Sequence, residues 1–208
     1  EKHLIKKNDT HYDSFAMMLA LSNNLYNHAL FIIRQNFIHN LTQDGNHKFL
    51  NYNAMDKVLR KMQEENYLAL PAQTAQQILR VLDKNWKSFF KAIKQWKNNP
   101  GLFKGIPKMP GYREKGGFNQ LIFTNQQCKF KDGYVTFPRV FNGFKIKVAN
   151  ENITGINQVR IIPHNQHFVV EIVYQQQEPK EMKPDNQRYI GIDLGLDNFV
   201  AIASNCSQ

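Results

Sequence analysis

Cysteine is nearly absent from this chain. Only Cys128 and Cys206 occur, far apart and in no C-x-x-C spacing. That excludes a disulfide scaffold and, within these residues, a zinc ribbon, and it fits a reducing cytoplasm. No apolar run approaches the roughly eighteen residues that a membrane-spanning helix needs. The start, Glu1-Lys2-His3, carries no signal-peptide pattern. The seven histidines are scattered with no H-x-x-x-H spacing, which leaves them structural or solvated. Repeats and low-complexity tracts are missing too. Acids are also short: 17 Asp and Glu stand against 27 Lys and Arg, a net charge of +10 over 208 residues. Such a balance points to an anionic partner, in a chain long enough for one or two domains.

What is present is unevenly placed. Pro71 suits the first position of a helix, and Asn98-Asn99-Pro100-Gly101 stops it. Between them Ala75, Ile78, Leu79, Leu82, Trp86, Phe89 and Ile93 form one apolar stripe. Gln73, Gln76, Arg80, Lys84, Lys87, Lys91 and Lys94 fall in a separate sector about 80° wide and roughly 30 Å long, close to one turn of duplex. A charge run is usually only a solvated face. This one lacks the alternating signs that stabilise solvated helices, and Asp83 lies outside it. The excess continues through Lys97, Lys104, Lys108, Arg113 and Lys115. Residues 71–115 hold ten Lys and Arg against Asp83 and Glu114, a net +8 of the chain's +10. Charge concentrated in this way signals phosphate binding. Glutamines at one end can read adenine edges, and the lysines beyond them can hold only backbone.

The remaining segments are read by period and turn chemistry. Residues 2–7 form a short basic strand. Ser14 is placed as N-cap of a first helix carrying Met18, Leu21, Leu25 and Ile32, fading after Ile38. In its middle, Asn23, Asn24, Tyr26, Asn27 and His28 either satisfy one another or hold a nucleotide backbone. Residues 40–48 read as a loop. Met55, Val58, Leu59 and Met62 mark a second helix ending near Asn66. After Gly101 a basic, turn-rich linker leads to short strands at Leu121–Thr124, Cys128–Lys131 and Tyr134–Phe137. Asp132-Gly133 joins the last two as a two-residue hairpin turn. Strands at Phe144–Val148, Gln158–Ile162 and Phe168–Tyr174 follow, with Pro163-His164-Asn165 as a turn, and together they suggest a small barrel or sandwich. Residues 175–184 are a linker.

Near the end, Tyr189-Ile190-Gly191-Ile192-Asp193-Leu194-Gly195 and Phe199-Val200-Ala201-Ile202-Ala203 flank a turn and read as a β-hairpin. Asp193 stands where an aliphatic is expected, and a carboxylate there is compensated most economically by a divalent cation. The bland alternative is a strand-end Asp capping a turn. The glycines keep the backbone slim enough for a metal or phosphate to approach. The segment resembles the first strand of a ribonuclease-H-like fold. It also resembles the phosphate loop of actin-like ATPases, but Leu196 and Asp197 follow where those place Thr or Ser.

Three further pieces extend the likeness: Leu25-Tyr26-Asn27-His28, Gln76 to Phe90 with its Trp86-Lys87-Ser88-Phe89-Phe90 end, and Phe123-Thr124-Asn125. In order and spacing, with Gly191-Ile192-Asp193-Leu194-Gly195, they resemble the amino-terminal half of TnpB/OrfB proteins of IS200/IS605-type insertion sequences. Those are RNA-guided nucleases related to type V CRISPR effectors. The resemblance implies an α+β chain: a wedge-like, OB-like β-barrel from residues 1–12 and 103–183, and a helical recognition lobe, 13–102, inserted in it. The start of a RuvC-like nuclease domain follows at 188–208. It implies a guide RNA and target DNA as partners, no membrane, and a prokaryotic cytoplasm. Gln73, Gln76, Gln77, Thr124, Asn125 and Tyr52 become candidates for reading the duplex beside the target. Asp193 becomes the first catalytic carboxylate and a ligand of Mg2+, which serves the complete nuclease site and is not required by these residues alone. The family's later Glu and Asp and its zinc ribbon fall beyond Gln208, so residues 1–208 are expected not to cut DNA alone. The alternatives are a nuclease-dead binding remnant and a helix-turn-helix transposase module. The terminal hairpin, short of neighbouring strands, is expected to need a sheet partner or a second copy.

Overall fold

The computed structural model describes residues 1–43, 49–150, 152–177, 186–195 and 199–205. The chain divides into two compact units, Glu1–Gln176 and Gln177–Gln208. The first is a mixed α+β body with antiparallel sheets. It begins with strand β1 (Lys2–Lys6), followed by helices α1 (Tyr12–Gln43), α2 (Tyr52–Lys61), α3 (Glu65–Ala69) and α4 (Ala72–Asn98). A single 3-10 turn at Pro100–Leu102 precedes the strands β2 (Leu121–Thr124), β3 (Lys129–Lys131), β4 (Tyr134–Thr136), β5 (Lys145–Lys147), β6 (Ile153–Pro163) and β7 (His167–Gln176).

Several boundaries differ from expectation, each for a local reason. Helix α1 starts at Tyr12, ahead of the expected Ser14 cap, because Asp9 folds the chain back: the Lys6 N–H donates to Asp9 Oδ2 at 2.6 Å and the Tyr12 N–H to the Asp9 carbonyl at 2.9 Å. It also runs on to Gln43, into the stretch expected to be loop, and residues 44–48 lie outside the described residues. The second expected helix is two. Gln63 takes a left-handed φ of 52°, which ends α2, and the Glu64 side chain caps α3 by accepting from the Tyr67 N–H. Pro71 caps α4 from outside, with extended ψ, and Ala72 is the first helical residue. Asn98 is the last helical residue, as its Asn-Asn-Pro-Gly ending indicates.

The strands sort into two sheets. One has the order β1-β7-β6-β2 and the other β3-β4-β5, all antiparallel. Among the described residues their pairing does not close into the expected small barrel. The sheets meet through side chains instead: Phe15 of α1 stacks on Phe141 and meets Phe137 and Phe144, while Phe123 of β2 packs edge-on to Phe137 and Phe141. Phe15 of α1 thus belongs to the same aromatic cluster as Phe123 of β2. The Asp132-Gly133 turn has φ of 52° and 77°, the doubly left-handed geometry that matches a two-residue hairpin to strand twist.

One hydrophobic core joins helices and sheets. Trp86 is fully buried, ringed by Phe37, Phe49, Phe89 and Phe90. Ala75, Ile78, Leu79 and Leu82 lie buried along the same side of α4, so its opposite side must face solvent. The second unit is a hairpin of β8 (Ile190–Asp193) and β9 (Ala201–Ser204), with Asp193 opposite Ala201 and every strand residue exposed. Its turn, Leu196, Asp197 and Asn198, and the linker acid Asp185 lie outside the described residues. No helix among the described residues is long and apolar enough to cross a membrane.

Candidate nucleic-acid interface

The apolar stripe of α4 determines which residues are left to work outside. Arg80, Lys84, Lys87, Lys91 and Lys94 are all exposed, and Gln73, Gln76 and Gln77 half-buried. Among the described residues Lys84, Lys91 and Lys94 make no ion pair. Lys87 differs: its ammonium lies 2.6 Å from Asp83 Oδ2. Asp83 sits one step off the cationic sector, is 9% exposed, and accepts the Tyr52 N–H on its other oxygen at 3.1 Å. It therefore pins the start of α2 to α4 and neutralises one cation of the ridge. A reading by angular sector alone leaves that pair out.

The N-terminal turn of α4 is fastened to the loop after β2. Gln73 Oε1 accepts from the Thr124 hydroxyl, its amide donates to Gln126 Oε1, and the Gln127 amide donates to the Thr74 hydroxyl at 3.0 Å. The Gln127 side chain also accepts from the Thr124 N–H at 3.2 Å. These bonds shape a concavity of about 280 Å³ lined by Gln73, Gln76, Gln77, Arg80, Thr124, Asn125 and Gln126. Five of the six candidates for reading duplex thus line one hollow, although Gln77 and Thr124 are 47 positions apart in the chain. Tyr52, the sixth, stands beside it: the Arg80 guanidinium lies 4.3 Å from its ring centroid. Beyond that pair a larger hollow of about 760 Å³ opens, lined by Phe49, Asn51, Tyr52, Asn53, Arg80, Asp83, Lys87 and Phe90. Arg80 lines both hollows, so the surface is continuous past it.

Between α2 and α3, the Tyr67 phenol donates to Asp56. Burial, and then the Asp56 carboxylate, push the Tyr67 hydroxyl up to about 12, so it remains a neutral donor. Burial opposes ionisation of Asp56, but hydrogen bonds from Arg60 and Tyr67 outweigh it and hold this carboxyl below its ordinary value. Gln126, Gln127 and Thr74 were not singled out in the sequence, where nothing distinguishes them from other polar loop and helix residues.

The polar cluster of α1 has a different employment. Asn27 clamps Arg113 from both sides, donating to its carbonyl at 3.1 Å and accepting its N–H at 2.8 Å. Asn23 donates to the Glu114 carbonyl at 2.8 Å, and Arg34 to the Pro110 carbonyl at 2.7 Å. Ser22 donates to the Gln120 carbonyl and accepts from Asn119. His28 faces Glu64 at 3.2 Å. The backbone these residues hold is the protein's own linker, residues 110–120, rather than a nucleotide. Asn24 alone of the cluster is exposed.

Asp193 lies exposed in β8. A side chain at Gly191 would meet only the Ala203 carbonyl at 3.9 Å, so the hairpin itself does not demand glycine there. Among the described residues no three His, Cys, Asp or Glu gather as a metal would require, so Asp193 offers a single carboxylate. Burial pushes the Cys128 thiol up to about 12, which makes it an inert core residue, and Cys206 lies outside the described residues. Comparison with known proteins finds no family model and no curated sequence that matches this chain.

Proposed function

We propose that this chain is the nucleic-acid-binding half of a TnpB/OrfB-type, transposon-encoded, RNA-guided DNA endonuclease of a prokaryotic cytoplasm. The observation that carries the reading is the convergence of Gln73, Gln76, Gln77, Thr124 and Asn125 on one hollow that runs into an acid-poor cationic ridge. In this reading the two antiparallel sheets around the phenylalanine cluster are an opened counterpart of the wedge module, and α1 to α4 are the recognition lobe. Guide RNA pairs with the target strand, while the glutamine hollow reads the base edges of the adjoining duplex and Lys84, Lys91 and Lys94 hold its phosphates. Asp193 would be the first carboxylate of a RuvC-like centre, with Mg2+ held jointly by acids outside residues 1–208.

The decisive experiment is to purify the chain from its host, sequence the RNA that travels with it, and select preferred duplexes from a random library. An RNA mapping beside the chain's own gene, and an adjacent-motif preference relaxed by Gln76→Ala more than overall affinity falls, are the expected results. Uniform weakening by Gln76→Ala would reduce the residue to a backbone contact. Cleavage by residues 1–208 in Mg2+, abolished by Asp193→Ala, would overturn the assignment of a shared centre.

A further inference from the structure

A second cationic surface stands on the three-stranded sheet, separate from α4 and from everything assigned above. The register sets Lys131 and Lys147 on either side of Tyr134, and Lys129 and Lys145 on either side of Thr136. Directly opposed residues share a face of the sheet, so these six side chains stand together. The intervening Phe130, Val135 and Ile146 turn the other way, into the core. All four lysines are exposed, and among the described residues none forms an ion pair.

Lysine on an edge strand also guards against stray sheet pairing, and β3 and β5 are both edges. That device does not account for what lies between them. The Lys145 ammonium rests 4.7 Å from the centroid of the Tyr134 ring on the central strand, so the ring already presents a face to a cation. The two lysine rows are two strand spacings apart, about 10 Å, and lysines within a row are about 7 Å apart along the strand. The latter interval is comparable with that between successive phosphates of an extended single strand. Four like charges held this close repel one another unless an anion sits among them.

We propose that this face is a platform for single-stranded nucleic acid, with phosphates against the lysine rows and one base stacked on Tyr134. On binding, Lys145 leaves the ring for a phosphate and the base takes its place. An aromatic centre flanked by cations suits unpaired bases, whose faces are free, and not a duplex, whose faces are buried in the stack. The inference does not rest on the reading of α4, which concerns duplex.

The test uses residues 1–208 with labelled oligo(dT), oligo(rU) and a duplex as probes, titrated over a range of salt. Replacing Lys129, Lys131, Lys145 and Lys147 together by Gln is expected to reduce the salt slope for the single strands by about 3. The duplex slope should hold, whereas Lys84→Gln, Lys91→Gln and Lys94→Gln should lower that one. Tyr134→Ala should weaken single-strand binding about tenfold, and Tyr134→Phe should retain it. A stronger response of oligo(rU) than of oligo(dT), or the reverse, would name the strand's sugar. Single-strand affinity and slope unchanged in the four-lysine variant would overturn the proposal and leave the lysines as edge protection. Independently of any variant, acylation of the wild-type lysines followed by mass spectrometry should show these four shielded by oligo(dT) or oligo(rU). Equal labelling with and without a bound strand would also overturn it.

Discussion

The middle of α1 and the outer face of α4 are both rich in polar side chains, yet they use them in opposite ways. In α1, Ser22, Asn23, Asn27 and Arg34 turn toward the protein's own linker and satisfy its carbonyls and N–H groups. In α4, Lys84, Lys91 and Lys94 find no acid among the described residues. The difference lies in what packs opposite each face. Linker 110–120 lies along α1 and brings backbone polar groups that cannot be left unpaired without cost. Among the described residues no acid is paired with Lys84, Lys91 or Lys94, so these three keep their field, while Lys87 is paired with Asp83.

The widest separation between the two helices should come from removing the clamp. Asn23→Ala with Asn27→Ala deletes three hydrogen bonds to the linker and should cost about 2–3 kcal/mol in chemical denaturation, while the salt slope for duplex changes little. A slope loss without a stability loss would place these asparagines on nucleic acid after all. The converse variant, Lys84→Gln with Lys91→Gln and Lys94→Gln, should lower the duplex salt slope by about 2.7 at unchanged stability.

At Asp83 the two behaviours meet, because it ties a ridge lysine back to the fold. Asp83→Asn keeps an acceptor for the Tyr52 N–H while releasing Lys87, and should raise the duplex salt slope by about 0.9 in the same titration. The smallest effect belongs to Glu64, between the helices. Burial opposes its ionisation, but Asn66, His28 and the Tyr67 N–H together hold its carboxyl below the ordinary value. A depressed carboxyl stabilises fully above its unfolded value of about 4.3, and that contribution is lost as pH falls through the folded value. Glu64→Gln should therefore cost about 1 kcal/mol near neutral pH and flatten the acid side of the stability profile, read by thermal melts across pH.

The elements were legible wherever a local signal was strong. The stripe from Ala75 to Trp86 specified α4 because helical period repeats over many turns, and Leu121–Thr124 appears with the bounds its pattern indicates. Asp132-Gly133 could be read because left-handed φ at two successive positions favours those residue types. The split between α2 and α3 was not legible. It turns on Gln63 adopting a left-handed φ, for which the residue type carries no signal. Barrel closure was misjudged because strand count says nothing of how the strands divide between sheets.

For the candidate interface, the sequence by itself determined that a long helix would have an apolar face and an opposite cationic one, and which residues occupy each. It also placed lysines on alternating positions of β3 and β5. Only the tertiary structure decided the partners. It brought Thr124 and Asn125 to Gln73, paired Lys87 with Asp83, directed the asparagines of α1 to the linker, and joined β1 to β7 across the chain. Period and turn chemistry act between near neighbours and are written in the residues themselves. The choice of a polar partner depends on which distant backbone arrives opposite, and that is settled only when the core closes.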